Sequence, residues 1–204
     1  LPAQPKAPLP LTGNFTYTDE FEEEVLPLHW LTVRIPAQKA YRLENGELVL
    51  EARADGVGSP GQPSFLARRQ QHTNAEAYTE VSFVPGDNDD EAGIAAFQND
   101  VAYYALGLSM SEDGKAIVRL RKRAGDATDK DGEIVAEVPA ATPLGASLKL
   151  RIVSRGPEID FYQAARGDDW EPVALSEDST ILSTEKAGGF VGTLLGVYAQ
   201  SAGD

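Results

Sequence analysis

The sequence predicts an all-β protein, an antiparallel sandwich of two packed sheets or a barrel, and three observations predict it. Short runs alternate apolar and polar residues with period two and are rich in β-branched and aromatic side chains. Gly, Asp, Asn and Pro break the chain between those runs, and no segment sustains a helical period beyond about two turns. Strands so numerous, joined by hairpin-type turns without intervening helices, exclude a βαβ fold. The absence of a repeat at fixed spacing counts against a propeller. Two sheets of roughly six or seven strands each are the economical arrangement.

Taken in order, the first residues, Leu1 to Leu11, carry Pro2, Pro5, Pro8 and Pro10 among small and polar residues. Such composition favours an extended polyproline stretch, so residues 1–13 read either as a floppy terminus or as a linker from a preceding domain, and residues 14–204 as one β-sandwich domain. The chain starts at Leu1, which points to a removed leader or to a piece of something longer. Strands are expected at Phe15–Phe21, Thr32–Ile35, Ala40–Leu43, Glu47–Ala52, Ser64–His72, Glu76–Val84 and Glu91–Asn99. They continue at Ala102–Met110, Lys115–Lys122, Glu133–Val138, Ser147–Ser154, Glu158–Ala165, Glu171–Leu175 and Phe190–Gln200. The turn signals between them are Asn45-Gly46, Asp55-Gly56, Asp113-Gly114, Asp131-Gly132, Arg155-Gly156 and Gly167-Asp168-Asp169.

Composition bounds the function. The 204 residues are 42% hydrophobic and 25% charged, enough to bury roughly 70% of the unfolded surface without a disulfide or a structural zinc. No cysteine is present, so disulfides and Cys-based metal sites are excluded. With 32 acids against 18 bases, a net charge of -14 repels phosphates, which argues against nucleic acid and against an anionic membrane surface. No apolar run approaches the roughly 18 residues of a membrane helix. A cysteine-free acidic chain suits periplasm, exterior and cytoplasm alike, with the first two favoured.

Alternation assigns faces in the central strands. Leu106, Leu108, Val118 and Leu120 form an aliphatic face, and Arg69, Gln71, Gln98, Tyr103, Arg119 and Arg121 line a second one over small residues. Planar donors, acceptors and rings above small residues describe a shallow groove suited to sugar hydroxyls or a polar partner. The same pattern also fits a solvated face with cross-strand pairs. His29 and His72 have no ligand-spaced partner and read as structural.

Three acidic motifs fail as sites on chemical grounds. Glu158-Ile159-Asp160-Phe161-Tyr162-Gln163 is similar to the catalytic strand of laminarinase-type retaining glycosidases, which need two carboxylates roughly 5 Å apart. Gln163 stands where the last carboxylate belongs, and an amide cannot donate and retake a proton at neutral pH. An exposed strand with Ile159 and Phe161 inward is the better reading. Asp126–Gly132 imitates a calcium loop, but with Gly132 sixth, Ala127 and Val138 occupy ligand positions. Asp87-Asn88-Asp89-Asp90-Glu91 has the composition of a solvated hairpin tip. A structural calcium stays possible in such sandwiches without being located, and no other cofactor is expected.

Several stretches resemble one family. They are Asp19-Glu20-Phe21 with Leu28-His29-Trp30, the run Pro63–His72, Glu91-Ala92-Gly93 with Phe97-Gln98-Asn99-Asp100 and Tyr103-Tyr104, and Leu182–Glu185 with Gly188–Gly192. In that order they are similar to the C-terminal domain of glycoside hydrolase family 43 β-xylosidases, over about Asp19 to Ala199. The resemblance implies a concanavalin A-like jelly-roll sandwich following a five-bladed propeller that carries the catalytic carboxylates, and substrates such as xylan or xylo-oligosaccharides. It implies a parent β-xylosidase or arabinofuranosidase and no catalysis by this chain alone. It also implies that a sandwich loop supplies a phenylalanine to the wall of the propeller's pocket, at the position of Phe190. The flanking glycines fit a loop that projects a ring, and they fit equally a turn that packs Phe190 inside. Many relatives continue past the position of Asp204 into a further strand. The expected role is therefore an accessory domain that stabilises the propeller, shapes the entrance of its pocket and helps hold xylan. An independent carbohydrate-binding module or lectin is the alternative, followed by a stand-alone interaction domain with no glycan.

Overall fold

Strand pairing builds the molecule in the computed structural model, which describes residues 15–201; the expected linker over residues 1–13 lies outside the described residues. The strands are β1 (Leu31–Thr32), β2 (Tyr41–Glu44), β3 (Glu47–Leu50), β4 (Ser64–Arg69), β5 (Asn74–Val81), β6 (Glu91–Asn99) and β7 (Ala102–Met110). They continue with β8 (Ala116–Ala124), β9 (Glu133–Pro139), β10 (Leu148–Arg155), β11 (Glu158–Ala164), β12 (Glu171–Asp178) and β13 (Leu194–Gln200). A 3₁₀ turn, Ser179–Leu182, and a one-turn helix α1, Thr184–Ala187, precede β13.

Antiparallel pairing orders seven strands as β1-β4-β13-β6-β7-β8-β9 and four as β12-β11-β10-β5, with β2-β3 a separate hairpin. Asn45 and Gly46, both at positive φ, turn that hairpin, as the Asn-Gly pair demands. The two large sheets pack face to face. Between them lie Tyr104, Leu106, Leu108, Val118 and Leu120 from one sheet and Leu148, Leu150, Ile152, Ile159 and Phe161 from the other. The expected aliphatic face is thus the core face of the seven-stranded sheet, and burial of each such side chain contributes about 1.5–3 kcal/mol.

The structure corrects the sequence reading in four places. The second sheet has four strands, not six or seven. Phe15–Phe21 is no strand: the Asp19 carboxylate accepts the Phe21 N–H at 3.0 Å and the Trp30 indole N–H at 2.7 Å, and Phe21 turns the chain at φ 54°. A side chain thereby takes the backbone donor that a ladder would need. Residues 190–193 belong to a loop rather than to β13. Asp55-Gly56 makes no hairpin and instead opens a strap, residues 53–63, across the outer face of the seven-stranded sheet.

That strap creates a second core. Val57 is 3% exposed and packs with Phe65, Ala67, Ala95, Phe97, Tyr103, Ala105, Leu194 and Tyr198 on the sheet face opposite the first core. Its backbone is pinned by Arg123, which donates to Gly58 O at 3.1 Å, and by Arg34, which donates to Ser59 O and Gly61 O and pairs with Asp100.

Candidate functional site

The loop between α1 and β13 is built to project a ring. Ser183 caps α1 by accepting the Lys186 N–H, and Gly188 ends it at φ 73°. Gly189 and Gly192 also sit at positive φ, where a side chain would strain the backbone. Both stems of the loop are tied down. Asn99 donates to Ala187 O at 2.8 Å, Thr193 donates to Leu182 O at 3.3 Å, the Gln70 N–H donates to Thr193 O at 2.9 Å, and the Arg69 guanidinium donates to Val191 O. The tip is left free: Phe190 is 102% exposed and Val191 53%. An inward-packed Phe190 is therefore ruled out. Ordering a loop around an exposed aromatic ring gains nothing from burial in this chain alone.

Beneath the loop lies a cleft of about 530 Å³, lined among others by Val33, Arg69, Gln98, Asp100, Val191 and Leu194. Gln98 is 3% exposed, and its Oε1 has no hydrogen-bond partner among the described residues. Strand parity alone would send Gln98 into the core with Ala96. Alternation therefore does not carry its expected place beside Arg69; a register shift between Phe97 and Asn99 interrupts the ladder there, and Gln98 lines the cleft together with Arg69 while its Oε1 stays buried.

The other expected binding residues are held differently. Gln71 lies beyond the end of β4 and is exposed. Tyr103, 2% exposed, donates its hydroxyl to Lys130 O beneath the strap. Arg119 and Arg121 converge on the fully buried Glu91. Arg121 Nε donates to it at 3.1 Å, and the Tyr198 hydroxyl donates to it as well. Arg119 Nη1 lies 3.8 Å away and pairs with Glu137 at 2.7 Å. Burial pushes the Glu91 carboxyl up, an effect the Arg121 charge opposes. Burial likewise works against the charged Arg121, and the Glu91 carboxylate more than offsets it, so Arg121 is raised. The common face of Arg69, Tyr103, Arg119 and Arg121 is as expected. Its character is not: the strap closes over Tyr103, and Arg119 and Arg121 are buried against Glu91, Glu137 and the Asn88 carbonyl, so it is neither an open groove nor a solvated face, and its Arg69 end opens into the cleft.

The rejected motifs find structural work. Ile159 and Phe161 are fully buried, while Asp160 accepts the Ser176 N–H at 2.8 Å and pairs with Arg155. Gln163, 2% exposed, accepts the Ala141 N–H and donates to Pro139 O, both at 2.9 Å. Asp90 Oδ2 accepts the N–H groups of Gly86 and Asp87, closing its own hairpin tip. Among the described residues no three acidic or histidine side chains group as a metal site. His72 packs against Phe15 in a tilted ring pair at 4.6 Å, and His29 meets Tyr17 edge-to-face at 4.7 Å.

Sequence reasoning did not single out Asn99 or Val191. Both lie in stretches that carry the family resemblance, but nothing local marks their roles: Asn99 follows the bulge and reaches Ala187 O with its side-chain amide, and Val191 contributes through its carbonyl.

Comparison with known proteins supplies the context. Residues 18–204 match the profile of the family described as "Beta xylosidase C-terminal Concanavalin A-like domain". The "Xylosidase/arabinosidase 43B" of Humicola insolens is 31% identical over 164 residues, 77% of this chain and 30% of that protein. The "Non-reducing end alpha-L-arabinofuranosidase BoGH43B" of Bacteroides ovatus is 29% identical over 188 residues, 91% of this chain and 34% of that protein. Among solved structures, "Bacteroides ovatus Xyloglucan PUL GH43B" superposes with a TM-score of 0.81 at 26% identity, covering 98% of this chain and 38% of that one. The chain spans about a third of the length of these relatives.

Proposed function

This chain belongs to the β-xylosidase C-terminal concanavalin A-like domain family, and from that premise we propose that it is a non-catalytic accessory domain of a xylosidase or arabinofuranosidase. It stabilises a preceding catalytic propeller and completes the wall of that propeller's pocket with Phe190. One observation carries the reading: a ring left fully exposed at the tip of a loop whose stems are tied at four points. A solvent-facing phenylalanine on a braced, glycine-framed loop is the form of an anchor for a partner's surface. The adjoining cleft, with the exposed Arg69 at its edge, gives that partner a polar foothold beside the apolar one. The names of the related proteins support xylose- or arabinose-containing glycans as substrates of the parent.

Gln163, where the related glycosidase strand has its last carboxylate, supports a chain without turnover of its own. The test compares the isolated chain with the complete gene product on a chromogenic xyloside and arabinofuranoside. Turnover is expected in the complete product only. Turnover by the isolated chain that Glu158→Gln abolishes would overturn the proposal.

A further inference from the structure

The outer face of the four-stranded sheet carries an aromatic rung that the Phe190 site does not use. Tyr78 on β5, Arg151 on β10, Tyr162 on β11 and Pro172 on β12 are register partners across all four strands. Their neighbours Ala77, Ile152 and Phe161 point into the core, so this rung faces outward. Four strands at about 4.8 Å spacing make a stripe about 15 Å long.

Trp170 lies over the rung. Its ring centroid is 6.3 Å from that of Tyr78, at 63°, and the Arg151 guanidinium carbon is 5.1 Å from the Trp170 ring and 5.6 Å from that of Tyr162. The loop that delivers Trp170 is fixed: Lys149 donates to Gly167 O at 3.0 Å, and the Trp170 N–H donates to Asp168 O at 2.8 Å. Tyr78 is 57% exposed.

We propose that this Tyr78–Trp170–Tyr162 rung binds an uncharged pyranose chain. The net charge of -14, with Glu76 and Glu80 on the same strand face as Tyr78, excludes a polyanion that would otherwise stack on such rings. A cationic ligand is excluded because the cation position is filled from within: Arg151 occupies it, held by Glu76 at 2.8 Å. What remains on offer is the outward surface of Tyr78 and Trp170, which suits the C–H face of a sugar ring. The rim completes the match. Glu76 and Glu80, each with one oxygen taken, by Arg151 and Ser147 respectively, keep a second carboxylate oxygen as acceptor, and sugar hydroxyls are donors, whereas a proline-rich segment presents chiefly carbonyl acceptors. The rung lies on the sheet opposite the strap and the Phe190 loop, so this site is independent of the accessory-domain reading.

The test is calorimetry of the 204-residue chain with xylohexaose, with heparin and decaproline as comparators. Binding with a Kd of about 1 mM or tighter is expected for the sugar alone, weakened at least about tenfold in both Trp170→Ala and Tyr78→Ala, with thermal unfolding of Tyr78→Ala unchanged. No heat with millimolar xylohexaose overturns the proposal. So does sugar binding that survives both substitutions, which would place it elsewhere, or binding of decaproline or heparin in place of the sugar.

Discussion

The Arg69 guanidinium donates to the backbone carbonyl of Val191, the residue that follows Phe190, and so couples the end of β4 to a loop more than a hundred residues later. Arg69 is exposed, so solvent screens the bond, which contributes about 1 kcal/mol or less. Its value lies in order rather than in global stability. Arg69→Ala is expected to raise amide exchange across residues 188–193 severalfold while lowering the unfolding midpoint by no more than about 3 °C. Unchanged exchange in that segment would show that the bond does not brace the loop.

The buried Glu91 carboxyl is a stability element. Glu91→Gln leaves Arg121 without a charge partner and Arg119 with Glu137 alone, in a site closed to water. Breaking one side of such a network costs about 3–5 kcal/mol. Urea unfolding of the variant is expected to fall in that range. Gly107→Ala tests the same spot from the other side, because a Cβ there would lie 2.4 Å from Glu91 Cγ and 2.5 Å from the Tyr198 hydroxyl. A loss below about 1 kcal/mol in either variant would contradict this packing.

Gln163→Glu restores the carboxylate that the glycosidase-like strand lacks and separates chemistry from structure. The new side chain can still accept from Ala141 N–H, but when ionised it has no hydrogen to donate to Pro139 O. Two acceptors then face each other in a site that is 2% exposed. A loss of about 1–3 kcal/mol is expected in denaturant titration, with no gain of glycosidase activity. A stable, active variant would revive the catalytic reading of β11.

Asp178 makes stability depend on acid. Hydrogen bonds from Lys186 and Thr180 hold its carboxyl down to about 2. A depressed folded pKa means that the contribution is present above the unfolded value near 4 and is lost as pH falls through about 2. Because the carboxylate is 45% exposed, the effect is screened and stays small. Thermal melts of Asp178→Asn and the parent chain are expected to differ at pH 6 and to converge towards pH 2. A constant difference across that range would assign the effect to the 3₁₀ cap alone.

Legibility in the sequence followed burial and failed at non-local contacts. The bounds of β6 and β7 were readable to the residue, because turn residues fix both ends of two long apolar runs. Phe15–Phe21 alternates as a strand does, yet Asp19 turns its side chain onto its own backbone, which no periodicity reveals. Parity placed Arg69, Tyr103, Arg119 and Arg121 on one face, but it carries no information on what crosses that face. Non-local contacts take three of them into the interior: the strap, with Val57 packed beside Tyr103 and Ala105, covers Tyr103, and Glu91, Glu137 and the Asn88 carbonyl take in Arg119 and Arg121. The rung of Tyr78, Arg151 and Tyr162 was invisible for a related reason: each is one polar-face residue of its strand, and only the register aligns them.

The most direct measurement is kcat/KM of the complete gene product with and without Phe190→Ala, on an aryl xyloside and an aryl arabinofuranoside. Phe190 is fully exposed among the described residues, so the unfolding midpoint is expected to stay put. Loss of a pocket-wall ring is expected to lower kcat/KM about tenfold on at least one substrate. An unchanged kcat/KM on both substrates would contradict the assignment of this domain to the wall of a catalytic pocket.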